Sequence, residues 1–343
     1  MAHFAQAGDI KVGVVGYGGA HSMGKKHLEE MQDAGMTPAA VAEIDAGRLE
    51  VAAEDFPGIQ TYDSLDAMLV NADVNLVVVV TPHNTHAGLA LKALNSGRHV
   101  VCEKPMAVTN EECDSMIAAA KKNGLVISTY HNRHWDGCIL DALETIASGK
   151  IGEVYRVEAH MGGFRHPGNS WRSSKSRSGG ILYDWGVHLL EYALQIIDSE
   201  IVEVAGYAAN GKWAPETVWK EDTNEDEAFC VVRFRDRRWL TLCISRLDSN
   251  PREGQIEITG EKGTYIFDYN NWQCITRDGS RTVITKDKNR PPEGWRFYRN
   301  IAAHLVEGEP LVITGEWARR PIHILDLAGK SAEQGRALPA EYA

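Results

Sequence analysis

Between residues 75 and 81 the chain reads Asn-Leu-Val-Val-Val-Val-Thr, apolar at every interior position instead of every second one. A strand with one wet face alternates apolar with polar residues. A strand that is apolar throughout is covered on both faces, as in a parallel sheet layered by helices. The neighbouring segments agree. Residues 10–15, 39–44 and 99–102 are short β-rich runs, and helical spacing falls over 24–34, 46–55, 64–70 and 87–96. Strand alternating with helix predicts a doubly wound parallel sheet across residues 1–130. Ligands of such sheets lie beyond the carboxyl ends of the strands, where Thr81-Pro82 and Glu103-Lys104-Pro105 fall.

The first strand stops at Gly16, followed by Tyr17, Gly18 and, after a delay, Gly24 at the start of a helix. Strand, glycine turn and helix aim backbone N–H groups and a helix N-terminus at a pyrophosphate, because a Cβ would hold the phosphate away. This is a Rossmann fingerprint with about three extra residues before Gly24. The next strand ends at Glu43 and Asp45, roughly 20 residues past Gly24, where a carboxylate meets the adenosine ribose hydroxyls. A carboxylate repels a 2′-phosphate, so the expected cofactor is NAD, with NADP the lesser alternative through Arg48.

A length of 343 residues allows two domains, and the formal charge of −11 argues against a nucleic-acid partner. No apolar run approaches the ~20 residues of a membrane span, and the first nine residues have no signal-peptide pattern. Cys102, Cys113, Cys138, Cys230, Cys243 and Cys274 are irregularly spaced, as in a reduced protein. The expectation is a soluble, cytoplasmic enzyme with no membrane partner.

Further motifs stand in a set order: Gly16-Tyr17-Gly18 with Gly24 and His27, Thr81-Pro82 with His86, Glu103-Lys104-Pro105, Asn132-Arg133-His134, Gly149 to Val154, Gly179-Gly180 before Asp184 and His188, and segments 308–311 and 331–336. This order resembles the Gfo/Idh/MocA family (glucose–fructose oxidoreductase, inositol dehydrogenase, rhizopine catabolism) over nearly the whole chain. The resemblance implies a second α+β domain, residues 131–343, with an open, mostly antiparallel sheet and a long helix on one face. A helix near 316–335 is a candidate to pack back on the first domain. Strands at 154–160, 229–234, 239–246 and 255–259 fit this plan. A homodimer or homotetramer assembled through that domain is also implied.

By the same resemblance Lys104 contacts the reacting hydroxyl. Asp184 and His188 lie four apart on a helix predicted over 183–196, so both stand on one face. We assign proton abstraction to His188 and its orientation to Asp184. The cofactor set is Gly16, Tyr17, Gly18, Gly24, Glu43, Asp45, Thr81, Pro82, His86, Glu103 and Lys104. The substrate set is Asn132, Arg133, His134, Trp135, Arg165, Trp171, Arg172 and Tyr183. Within it Arg165 and Arg172, with His166, Lys175 and Arg177, are candidates to grip an anionic group or to form a solvated loop. Asp184 and His188 have no third ligand at a fixed spacing, and no metal is expected. The expected activity is hydride transfer between nicotinamide and a secondary alcohol of a sugar, cyclitol or glycoside. The alternatives are an NAD-dependent glycosidase working by transient oxidation and elimination, including on an anionic sugar, and a non-catalytic NAD-binding regulator.

Overall fold

The computed structural model describes residues 4–19 and 22–341. Ala20 and His21, within the insertion ahead of Gly24, lie outside the described residues, as do the first three residues of the N-terminal segment. The chain divides into two compact units. One is the chain up to His131 with Trp295–Arg320; the other is Asn132–Gly294 with the chain from Pro321 onward.

The first unit is built on a six-stranded parallel sheet, ordered β3-β2-β1-β4-β5-β6. The strands are β1 (Lys11–Val15), β2 (Thr37–Ala42), β3 (Gln60–Tyr62), β4 (Leu76–Val79), β5 (His99–Cys102) and β6 (Ile127–Thr129). All four residues of β4 are buried, which explains the unbroken apolar run. Helices α1 (Met23–Asp33), α2 (Ala46–Asp55), α3 (Leu65–Asn71), α4 (His86–Asn95) and α5 (Asn110–Asn123) make the connections. Strand order reverses between β1 and β4, the switch point at which such sheets bind ligands.

Helix α9 (Arg296–Glu307) completes this unit, burying Phe297, Tyr298, Ile301 and Leu305. The reason is apolar surface on the sheet's own helices plus specific polar ties: Ser128 donates to the Ile313 carbonyl at 2.7 Å, and Arg319 pairs with Asp114. Residues 295–320 thus pack as part of the first unit although they follow the second in sequence. Helix α10 (Gly315–Gln334) begins in this unit and passes into the other at Pro321.

The second unit carries a nine-stranded sheet in the order β14-β13-β12-β11-β7-β10-β9-β8-β15. Its strands are β7 (Val154–Gly162), β8 (Ile201–Ala209), β9 (Glu227–Phe234), β10 (Trp239–Ser245), β11 (Ile256–Gly260), β12 (Gly263–Phe267), β13 (Asn271–Asp278), β14 (Arg281–Lys288) and β15 (Leu338–Pro339). Neighbours are antiparallel except β7 and β10, which run parallel. Helix α6 (Gly137–Ala147) precedes the sheet, and the short α7 (Lys175–Ser178) leads into α8 (Ile181–Ile196). Helix α8 packs on the face bearing Leu240, Leu242 and Ile244: a Cβ on Gly186 would lie 3.1 Å from Leu242. No helix of the described residues is long and apolar enough to cross a membrane.

Candidate functional site

The glycine turn is shaped by close backbone approaches. Gly16 has φ +99°, and a Cβ there would overlap the Val80 carbonyl. Gly24, in the first turn of α1, has room for a hydrogen only: a Cβ would sit 2.7 Å from the Gly16 oxygen. Gly24 therefore does the helix-to-strand packing that the third fingerprint glycine provides. At Gly18 no described residue lies within 4 Å of a Cβ position, leaving the open backbone a phosphate needs.

Glu43 follows β2. It accepts from the Tyr17 N–H at 2.6 Å and from the Asp45 N–H at 3.1 Å. A carboxylate has about four acceptor sites, so two remain for a ribose diol. Asp45 caps α2 by accepting from the Gly47 N–H at 2.9 Å. The Tyr17 ring is held in turn, its hydroxyl donating to Asp55 at 2.8 Å while Lys25 pairs with the same carboxylate. Arg48 donates through Nε to the Tyr17 carbonyl at 2.9 Å and lies against Gly19. These groups fit a dinucleotide: an open glycine turn, a helix N-terminus and a carboxylate at the adjoining strand end.

Thr81 and Pro82 follow β4. The fully buried His86 places one ring nitrogen 2.9 Å from the Thr81 carbonyl and the other 2.8 Å from the Pro105 carbonyl. It thereby ties the end of β4 to the turn after β5. That turn holds Lys104. Behind it, Glu103 accepts from the Lys104 N–H at 2.9 Å and faces His27 at 3.0 Å. Burial opposes ionisation of Glu103, yet His27 and Lys104 hold its carboxyl down at about 2. His27 is 0% exposed, and its other nitrogen lies 2.5 Å from the Tyr298 hydroxyl. The Lys104 backbone is thus seated on a buried chain running from α1 to α9.

In the second unit, Asn132 to Trp135 form a single helical turn. Trp135 is buried, His134 meets the fully buried Glu191 at 2.6 Å, and Arg133 pairs with Asp136 at 2.9 Å. The Arg133 guanidinium also sits 5.0 Å from the Trp185 ring and 5.3 Å from Tyr269. Both Asp184 and His188 lie on α8, and the Trp185 ring packs 5.6 Å from His188. Arg172 stacks on Trp171 at 4.5 Å and approaches Asp184 at 3.9 Å. Tyr183 lines a separate cavity of about 210 Å³ with Lys175, Tyr207 and Glu225.

Arg246 was legible only as a strand end. In an alternating strand it continues the phase of Leu240, Leu242 and Ile244, toward α8. An arginine in apolar register is the signal that marks it. His27 was legible only as part of a family motif.

A six-stranded parallel sheet with this glycine turn, followed by an α+β unit on a mixed nine-stranded sheet, defines the class of two-domain, NAD-binding oxidoreductases. The profile described as an oxidoreductase family with an NAD-binding Rossmann fold matches residues 10–131, and that of the GFO/IDH/MocA C-terminal domain matches 139–266. The chain belongs to the GFO/IDH/MocA family. It is 33% identical over 306 residues to the uncharacterized oxidoreductase YdgJ of Escherichia coli, covering 89% of this chain and 82% of that protein. It is 24% identical over 351 residues to the scyllo-inositol 2-dehydrogenase (NADP(+)) IolW of Bacillus subtilis, covering 97% and 96%. A match to the uncharacterized oxidoreductase C115.03 of Schizosaccharomyces pombe, 38% identical, covers 41% of this chain and only 39% of that protein. Levoglucosan dehydrogenase in complex with NADH and levoglucosan shares the fold, with a TM-score of 0.83 at 20% identity over 97% of this chain and 100% of that one.

Proposed function

We propose that this protein transfers hydride between NAD and a secondary alcohol on a sugar or cyclitol ring. The observation that carries the reading is Lys104, set at the end of β5 on a buried Glu103–His27 support, in the sheet that also bears the glycine turn and Glu43. The relatives named as inositol and levoglucosan dehydrogenases support the substrate class. The nicotinamide, when bound, supplies the hydride acceptor or donor. The turn at Gly18, shaped by Gly16 and by the packing of Gly24, receives the pyrophosphate, and Glu43 holds the ribose diol. Lys104 contacts the reacting hydroxyl. His188 takes its proton, with Asp184 one turn away supporting the imidazolium that results.

The test is a panel of inositols, sugars and aryl glycosides with NAD and with NADP, following both reduced nicotinamide absorbance and aglycone release. Reduction of NAD by a cyclic polyol, with no aglycone released, is the expected result. Aglycone release without net reduction, or no reaction across the panel, overturns it. Metal independence is expected as well: chelation should leave turnover unchanged, and loss restored by zinc would contradict this. Among the described residues no three His, Cys, Asp or Glu side chains are grouped to hold a metal.

A further inference from the structure

Arg172 and Arg246, from separate segments, both face Asp184, and a third arginine, Arg165, neighbours Arg246. Arg172 lies 3.9 Å from the Asp184 carboxylate. Arg165 and Arg246 are paired through the backbone, the Arg165 N–H donating to the Arg246 carbonyl at 3.3 Å, beside the bridge between Phe164 and Leu247. Trp213 fixes the same carbonyl by an indole N–H at 3.2 Å. Arg246 leaves β10 in the register of buried Leu242 and Ile244, so its charge is carried on the face where α8 packs. Burial and the neighbouring Arg165 both push the Arg246 guanidinium down from its ordinary value, and Asp184 opposes them.

No hydrogen bond or ion pair reaches the Arg165 or Arg246 guanidinium from any described residue. Asp226 and Glu227, nearest in the adjoining strand, are engaged elsewhere: Asp226 accepts the Lys212 and Trp213 N–H groups, and Glu227 accepts from Ser245. Three guanidiniums against one carboxylate leave an excess of two positive charges. This happens in a chain whose formal charge is −11. The Arg246 guanidinium is partly withdrawn from water beside the exposed Arg165, a costly arrangement unless an anion completes it. Guanidinium pairs match carboxylate and phosphoryl oxygens with bidentate geometry.

We propose that Arg246 and Arg165 form an anion-recognition subsite beside Asp184, and that the substrate is a polyol ring carrying an anionic substituent, a carboxylate or a phosphoryl group. The proposal rests on the oxidoreductase reading above and deepens it. Arg172 stays with Asp184 and Trp171, while Arg246 and Arg165 receive the anion. Arg246 is thereby a specificity residue that sequence motifs do not announce.

The experiment compares D-glucose, D-glucuronate and D-glucose 6-phosphate as substrates of the full chain with NAD. One anionic sugar should exceed glucose in kcat/KM by about 10- to 100-fold, the worth of one charge-assisted hydrogen bond. Which anion wins tells carboxylate from phosphate. Arg246→Gln and the exposed-site variant Arg165→Gln should each collapse that ratio through KM, and Arg246→Lys should restore part of it. A ratio near one, or one unchanged by both Gln variants, overturns the proposal. If none of these three sugars is turned over, the oxidoreductase reading is decided by the wider panel of inositols and glycosides above. The subsite is then judged by calorimetric binding of the same three sugars to the NAD-loaded chain. Anion-selective binding lost in Arg246→Gln sustains it; equal binding of all three overturns it.

Discussion

Glu103 shows how one buried carboxylate can set the position of its neighbour. Its carboxyl is held at about 2 against an ordinary 4.5. A group whose folded value is depressed stabilises the fold fully above its unfolded value and loses that contribution as pH falls through the folded one. The window here runs from about 4.5 down to about 2, and the displacement is worth roughly 3 kcal/mol. Glu103→Gln should melt lower at neutral pH but lose less between pH 5 and pH 2.5 than the parent, as read by melting temperature against pH. A parallel loss in both proteins would remove Glu103 from this role. At the chemical groups themselves, Lys104→Ala and His188→Ala should each lower turnover by ~10²–10⁴-fold while NAD affinity stays nearly constant. The double variant should be little worse than the poorer single one, since groups acting as a unit are not additive. Normal turnover in His188→Ala would assign the base elsewhere. Glu43→Ala should narrow the preference for NAD over NADP, measured as the ratio of dissociation constants. A preference for NADP in the unmodified protein, with Arg48 beside the turn, would overturn the reading of Glu43.

At the scale of elements, the glycine turn and α1 form one packed piece. Gly24→Ala would push a methyl against the Gly16 oxygen and the Tyr17 ring. Overpacking of this kind costs about 1–3 kcal/mol, and the displaced turn should weaken NAD binding at least as much, measured by fluorescence titration. Unchanged affinity would show that α1 carries no part of the cradle. The same piece explains what was readable in advance. Strands β1, β4 and β5 announce themselves because their apolar runs are buried on both faces, with the polar Lys11 and His99 only at the first positions of β1 and β5. Glu43 was readable because the strand before it ends sharply. Strands β12 to β14 were not: Arg281–Lys288 is exposed at all eight positions, so no alternation marks it, and only pairing along β13 makes it a strand. Helix α9 was hidden for another reason. Its apolar face is strong, but nothing local says that it packs with a sheet whose last strand ended at Thr129. Arg246 was missed because a charge at a strand end reads as solvent-facing until the helix covering that register is known.

At the scale of the molecule, the nine-stranded sheet has two unlike faces. One row across it, Val232, Leu240, Val157, Ile258 and Tyr265, is buried beneath helices. The adjacent row on the opposite face, Val231, Thr241, Glu158, Glu257 and Ile266, is only half covered. Its apolar members sit among charges, the composition of a surface that meets another protein without being a core. A second copy of the chain is the occupant we propose, because the row crosses five neighbouring strands and a stable dimer covers roughly 800 Å² per partner. Light scattering at micromolar concentration should therefore give the mass of a dimer or tetramer. Val231→Glu, placed in that row and in neither proposed site, should add an unpaired charge to the contact and shift the mass toward monomer. Its melting temperature should fall with dilution more steeply than that of the parent, because dissociation and unfolding become linked. A monomeric parent, or a Val231→Glu variant with unchanged mass, would show that the second face is a free surface.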